Sequence, residues 1–243
     1  VSALLVVWIV VFPVGGAYAA EGSATLQPSE PDPVRVATEL VTDFPIDVAA
    51  RVTVEVPARV RASLSLGVMP DPYADAINGF LVGVGAYDSS TADLLASALS
   101  SSFVMRLHAG IRPFEGYGFY VESGYRLVTL GGGAAGTELV AAVTGQAVPE
   151  GDRGQELEVD AQLHMVDVEL GWELVVVEYL SLRFALGGAF TVDARTTVKP
   201  SFEPRFPLAT TAFTEAAAIY LEETLEDYAF TPVASVGVGV VFE

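Results

Sequence analysis

Alternation with a period of two is the feature that most constrains this chain. It recurs in long segments, and the two parities of each segment differ in kind. One parity holds Val52, Val54 and Val56; Val60, Leu64, Leu66 and Val68; Phe103, Met105, Leu107 and Ile111. It continues with Phe119, Val121, Tyr125 and Leu127; Val166, Val168, Leu170, Trp172 and Leu174; and Leu180, Leu182, Phe184, Leu186 and Phe190. None of these is charged. Successive side chains of a strand point to opposite faces, so each segment is a strand with one wholly apolar side. A charge facing lipid at mid-bilayer costs about 2–4 kcal/mol, which is a reason for a face to contain none. The pattern predicts an all-β fold, a closed antiparallel transmembrane barrel of about eight strands.

The opposite parity gathers Arg35, Glu39, Arg51, Glu55, Arg59, Arg61, Arg106, Arg112, Glu122, Arg126, Asp167, Glu169, Glu173 and Arg183, with His108 among them. Eight of the twelve basic residues of the protein are in this set. Buried charges need partners, and eight arginines set against six carboxylates supply them. The interior of an eight-stranded barrel is barely wide enough for side chains. The set therefore predicts a lumen filled by a paired ionic network.

The strands are expected near 34–41, 46–56, 59–69, 101–112, 118–130, 157–175, 179–198 and 228–242, the first being weakest because Thr38 interrupts its apolar face. Connections at one end are tight: Val56 to Arg59, Pro113 to Tyr117, and Val177 to Tyr179. Pro57 lacks an amide donor and fits a turn. At the other end, 70–100, 131–156 and 199–227 are long, and 42–45 is the one short connection. Gly131 to Gly133 reads as a flexible loop start, with no lysine of a phosphate loop after it.

Short helices are expected in these long connections. Asp71-Pro72 is an N-cap with proline at the first helical position, followed by a stripe of Tyr73, Ile77, Phe80, Leu81 and Val84. Ser89 or Ser90 caps a second candidate with Leu94, Leu95 and Leu99, and 137–144 is a weaker one. Phe213, Ala217, Tyr220, Leu221 and Thr224 line one face of a last helix whose other faces are acidic. A stripe in water needs a surface, so these helices are expected to form a lid over the barrel mouth. Lying flat on the outer leaflet is the alternative.

Residues 1–19 read as a signal peptide: an apolar run from Ala3 to Val14, then Ala17-Tyr18-Ala19 as an A-x-A site. The run is shorter than the ~20 residues of a spanning helix. No Lys or Arg precedes it, which a truncated start or a misassigned start codon at Val1 would explain. Residues 20–33, with three prolines, read as a flexible periplasmic lead-in, and 34–243 as the barrel domain.

At the other terminus, Val236, Val238, Val240 and Phe242 share one face, while Ser235, Gly237 and Gly239 share the other. Together, Ser235, Gly237, Val240 and the aromatic Phe242 resemble the C-terminal assembly signal of bacterial outer-membrane barrels. The leader, the alternating segments and the turn-and-loop asymmetry extend this: residues 34–243 resemble a small outer-membrane β-barrel of the OmpA/OmpX architecture. The resemblance implies the outer membrane as location, and lipid, lipopolysaccharide and the barrel-assembly machinery as partners. It implies structural, adhesive or small-solute roles and carries no catalytic residue onto this chain.

The net charge of −19 argues against nucleic acid. Acidic outer loops suit a cationic partner or divalent cations, although simple solvation of such a surface is commoner. With no cysteine and two histidines, no metal site or cofactor is expected. Three function classes follow. The first is a non-enzymatic barrel in a structural or surface-interaction role. The second is a narrow or gated conduit for a small solute. The third is an outer-membrane lipid-modifying enzyme that would need His108 paired with Ser63 or Ser65. No motif fixes such a set in register, and the charged lumen favours the first.

Overall fold

The structure, a computed structural model, describes residues 34–83, 101–114, 116–135, 156–177, 179–227 and 230–242. All belong to the compact unit Asp32–Glu243. The expected leader 1–19, the lead-in 20–33 and the helices expected near 89–99 and 137–144 lie outside the described residues.

Eight strands run β1 Arg35–Phe44, β2 Asp47–Val56, β3 Val60–Val68, β4 Ser101–Ile111, β5 Phe119–Ala135, β6 Glu156–Val177, β7 Leu180–Pro200 and β8 Phe230–Phe242. Each pairs antiparallel with the next, and β8 closes onto β1. The first strand, the least regular in sequence, pairs on both sides: Glu39 lies opposite Arg51 and Gly239. Among the described residues two helices lie in the long connections, α1 Asp71–Gly83 and α2 Pro207–Asp227.

Three boundaries depart from the sequence expectation, each for a local reason. β1 runs on to Phe44, so Asp43 is a paired strand residue opposite Asp47 rather than part of the connection. Gly131 to Gly133 are not a loop start: they continue β5, opposite Asp160, Val159 and Glu158 of the longer β6. Arg59 is in the β2–β3 turn with φ 60, and its side chain is exposed rather than in the lumen. The reversal occupies the position that simple alternation would have aimed inward.

The strands are unequal, and this divides the molecule into two storeys. In β6, Val166, Val168, Leu170, Trp172 and Leu174 face outward and are 41–51% exposed. At ~3.3 Å per residue and a tilt of ~40°, they cover on the order of 20 Å, close to the height of an apolar band. Aromatic contacts flank the band. Phe119 packs at 5.0 Å from Trp172 and 6.0 Å from Phe114 at the turn end. Phe190 packs at 5.0 Å from Phe230, and Phe44 at 5.1 Å from Tyr73, at the loop end.

Past His164 the polarity of β6 inverts. Glu156, Glu158, Asp160 and Gln162 face outward, while Leu157, Val159, Ala161 and Leu163 are buried inside. β7 makes the same change through a bulge at Val192, where His164 pairs with Asp193 but Met165 pairs with Thr191. Beyond it Ala194, Thr196 and Val198 are buried. A strand that is polar outside and apolar inside belongs in water with its inner face covered. α2 is the cover: Ala217 and Leu221, both buried, pack with Leu157, Val159 and Val198, flanked by Phe213 and Tyr220. Lower down, Leu225 packs on a second apolar cluster that includes Ile46, Val104, Val128, Leu163, Met165 and Val233.

Candidate functional site: the lumen

Below that apolar layer the interior is ionic, and charge pairs run through it from the turn end upward. Arg112, just past β4, donates to Glu55 at 2.9 and 3.0 Å and to Glu173 at 2.8 Å. Arg35, partly exposed at this rim, is 3.8 Å from Glu173. Arg61 joins the rim to the centre, 3.0 Å from Glu173 and 2.7 Å from Glu122. Its guanidinium also lies 4.1 Å from the centre of the Tyr120 ring, a cation–π contact in a desolvated setting.

Tyr120 organises the middle. It is fully buried, donates to Glu169 at 2.8 Å and accepts from Arg183 at 2.9 Å. Its ring crosses the backbone of Gly171, its partner on β6, where any Cβ would overlap the phenol. Arg183 also reaches Glu169 at 2.6 Å, Glu39 at 3.3 Å and the hydroxyl of Ser235 at 3.0 Å. Ser235 thus faces the lumen, while Val236, Val238, Val240 and Phe242 of the same C-terminal segment are exposed outside. Gly237 lies opposite Arg183 on β7 and Val41 on β1.

The upper layer holds a like-charge juxtaposition that needs an explanation. Arg106 and Arg126 are directly opposite on β4 and β5, an unfavourable pairing on its own. Asp167, 3.3 Å from Arg106 and 3.0 Å from Arg126, bridges them. Asp43 pairs with Arg106 from the other side and lies 3.5 Å from Arg51 and 3.9 Å from Arg126. Arg106 also contacts Glu169 at 2.9 Å, and Arg51 lies 3.7 Å from the same carboxylate.

His108 sits between two acids, Nδ1 facing Glu122 at 3.4 Å and Nε2 bonded to Asp167. Ser63 is its cross-strand neighbour, but both ring nitrogens are directed at carboxylates and neither at a serine. His164, by contrast, is on the outer surface, where Nδ1 meets the Tyr125 hydroxyl at 2.5 Å.

The structure thus brings together the expected residues from Arg35 to Arg183 apart from Arg59. It adds Asp43, Asp47, Tyr120 and Ser181 to the buried polar set. Parity contains the signal for Asp43 and Tyr120, since each shares the phase of charged neighbours, Glu39 and Glu122. Asp47 is 1% exposed and neither carboxylate oxygen has a hydrogen-bond partner. A cavity of about 10 Å³ lies among Arg106, Arg126, Asp167, Glu169 and Ser235, roughly the room for one water molecule. Among the described residues no group of three His, Asp or Glu could hold a metal ion.

Topology and lumen together define the class: a small, closed, eight-stranded antiparallel β-barrel with a side-chain-filled interior. Among solved structures, the chain is similar to the N-terminal β-barrel domain of OprF from Pseudomonas aeruginosa, at 12% identity over 86% of this chain and 96% of that one, with a TM-score of 0.44. It is also similar to CarO from Acinetobacter baumannii, at 13% identity over 87% and 98% of the two chains and a TM-score of 0.39. CarO2 of the same organism gives 13%, 86% and 98%, and 0.38. No family model and no curated protein matches the chain. The class assignment rests on the closed strand order of the chain itself.

Proposed function

We propose that this protein is a non-enzymatic barrel of the bacterial outer membrane, with a lumen sealed by its own side chains. Its helical, loop-bearing storey faces outward in a structural or surface-interaction role. The observation that carries the proposal is the inversion of polarity at His164 and Val166. Below it the outer wall is charge-free and the interior ionic; above it the wall is polar and the interior dry. Only a chain crossing from lipid into water has reason to be built this way. The tight turns then lie at the periplasmic end and α1, α2 and the β5–β7 extension outside. Lipid, lipopolysaccharide and the assembly machinery are the partners that go with this placement. The outward acids of β6 suit a cationic partner or divalent cations.

A conduit is disfavoured by the buried side chains of Arg51, Arg106, Arg126, Asp167, Glu169 and Arg183, which occupy the lumen in mutual ion-pair contact. Lipid-modifying chemistry is disfavoured by the two acids that occupy His108. Two measurements test the proposal. A closed barrel in detergent runs at different positions on a gel before and after boiling, and stays with membranes through alkaline carbonate. Purified protein in planar bilayers should give no steady conductance. Release by carbonate together with loss of the mobility shift overturns the membrane assignment, and a stable open channel overturns the sealed lumen.

A further inference from the structure

Above the membrane, β7 outruns its neighbour. Among the described residues its ladder with β8 reaches Phe190–Phe230, while β7 continues to Pro200. Among the described residues no strand pairs with the stretch from Ala194 onward on the side away from β6, the side to which the amides of Ala194 and Thr196 point. An unpaired edge of this kind is a template for another strand. Here α2 occupies it in an unusual way. Glu222 Oε1 accepts from the amide of Thr196 at 2.8 Å, and Glu226 Oε1 accepts from the amide of Ala194 at 3.4 Å. Four residues of helix rise ~6 Å and two residues of strand ~6.7 Å, so carboxylates at i and i+4 match successive edge amides. The helix supplies side-chain acceptors where a ninth strand would supply carbonyls.

The covered edge is self-complementary. Placed antiparallel to a copy of itself and centred on Thr196, it sets Asp193 opposite Lys199, Arg195 opposite Thr197, and Ala194 opposite Val198. The register is also correct for hydrogen bonding. Ala194 and Thr196 direct their amides to the edge, and residues two apart along a strand share that direction. The outward row Asp193, Arg195, Thr197, Lys199 then meets its own reverse with opposite charges across the join, an arrangement that stabilises cross-strand pairs.

We propose that α2 is a releasable strap over this edge, and that the uncovered edge of β7 pairs antiparallel with β7 of a second copy of the chain. Because the two strands run in opposite directions, the copies belong to facing membranes or separate micelles, not to neighbouring positions in one bilayer. The inference concerns the edge itself and holds whatever the lumen does.

The test compares wild type with Glu222→Ala/Glu226→Ala in detergent, both checked for the boiled-versus-unboiled mobility shift. Wild type should be monomeric, with the Ala194 and Thr196 amides exchanging at least ~100-fold slower than free peptide. In the double variant, at dilution where it is monomeric, those two amides should lose protection while the β6–β7 ladder keeps its own. At higher concentration light scattering should show dimers, and the two amides should regain protection across the join. Adding Asp193→Lys should abolish the dimer, and Asp193→Lys with Lys199→Asp should restore it. A second route does not depend on the glutamates. The chain has no cysteine, so Thr196→Cys should cross-link to its counterpart only after the strap is loosened by Leu221→Ser. Fast exchange of the two amides in wild type overturns the strap. A loosened strap on a protein that stays monomeric and uncross-linked overturns the pairing.

Discussion

Asp43 and Asp47 are opposite each other on neighbouring strands, equally buried, and differ in what surrounds their oxygens. Neither has a hydrogen bond to its carboxylate, but Asp43 is within ion-pair range of three arginines and Asp47 has no ion pair within 4.0 Å among the described residues. Removing one member of a buried pair costs about 3–5 kcal/mol because the other charge is stranded. Asp43→Asn should therefore destabilise the barrel by that order, measured by urea unfolding in lipid vesicles. Asp47→Asn should leave stability unchanged or raise it, since it removes a buried charge that has no close ion pair to lose. The Tyr120–Gly171 contact gives a second residue-scale prediction. Gly171→Ala places a methyl inside the phenol ring and should cost about 1–3 kcal/mol by overpacking. Tyr120→Phe keeps the shape and loses the bonds to Glu169 and Arg183, for about 1–3 kcal/mol. Most of these partners are legible by parity, because Arg51, Arg106, His108 and Glu122 are in phase within their strands. Which arginine meets which acid is not, because pairing across the lumen depends on the stagger of strands remote in sequence. Asp43 was hidden by its neighbour Pro45, which drew the strand boundary too early.

Single strands in this protein serve two solvents, and β6 shows where one gives way to the other. Val168 faces the apolar band and Gln162 faces outward on the same strand above it. Val168→Lys should cost about 2–4 kcal/mol, while Gln162→Lys should produce no measurable change, both read from the midpoint of unfolding in vesicles. Equal effects at the two positions would move the membrane boundary. The strand segments were legible in sequence to within two residues, apart from the later ends of β1 and β5, because alternation is a local signal. The dry upper lumen was present too, in Leu157, Val159, Ala161 and Leu163, but its meaning depends on α2, which arrives from a distant part of the chain. The stripe of Ala217 and Leu221 announced a helix with something to cover. It did not announce that the surface would be the inner face of β6 and β7.

For the whole molecule, two different seals are stacked in one tube. On the proposed function, the ionic layer excludes solutes by filling the lumen with paired charge, and the aliphatic layer above excludes water by offering it no partner. A breach of one should leave the other in place. Arg106→Ala alone should lower the melting temperature yet give little conductance in planar bilayers. Arg106→Ala combined with Leu225→Ser, which opens the cover over the apolar cluster, should conduct. If the single variant conducts as well as the double, the upper layer is no barrier. Closure of β8 onto β1 and the strand count were foreseeable from the even number of segments and the turn asymmetry. The length of β6 and β7 was legible too, near 157–175 and 179–198; the extension of β5 from Gly131 to Ala135 was not, because a strand of glycine and alanine has the composition of a loop.

Val192 is the residue that the ladder skips. Without it, Thr191, Asp193 and Ala194 would alternate without interruption, so the bulge is an insertion between two correctly phased strands. In engineering terms it is a splice site. The barrel half of β7 ends in register at Thr191, and the outer half begins in its own register at Asp193. Everything beyond that joint, with the facing half of β6, is therefore exchangeable for another ribbon without rewriting the wall below.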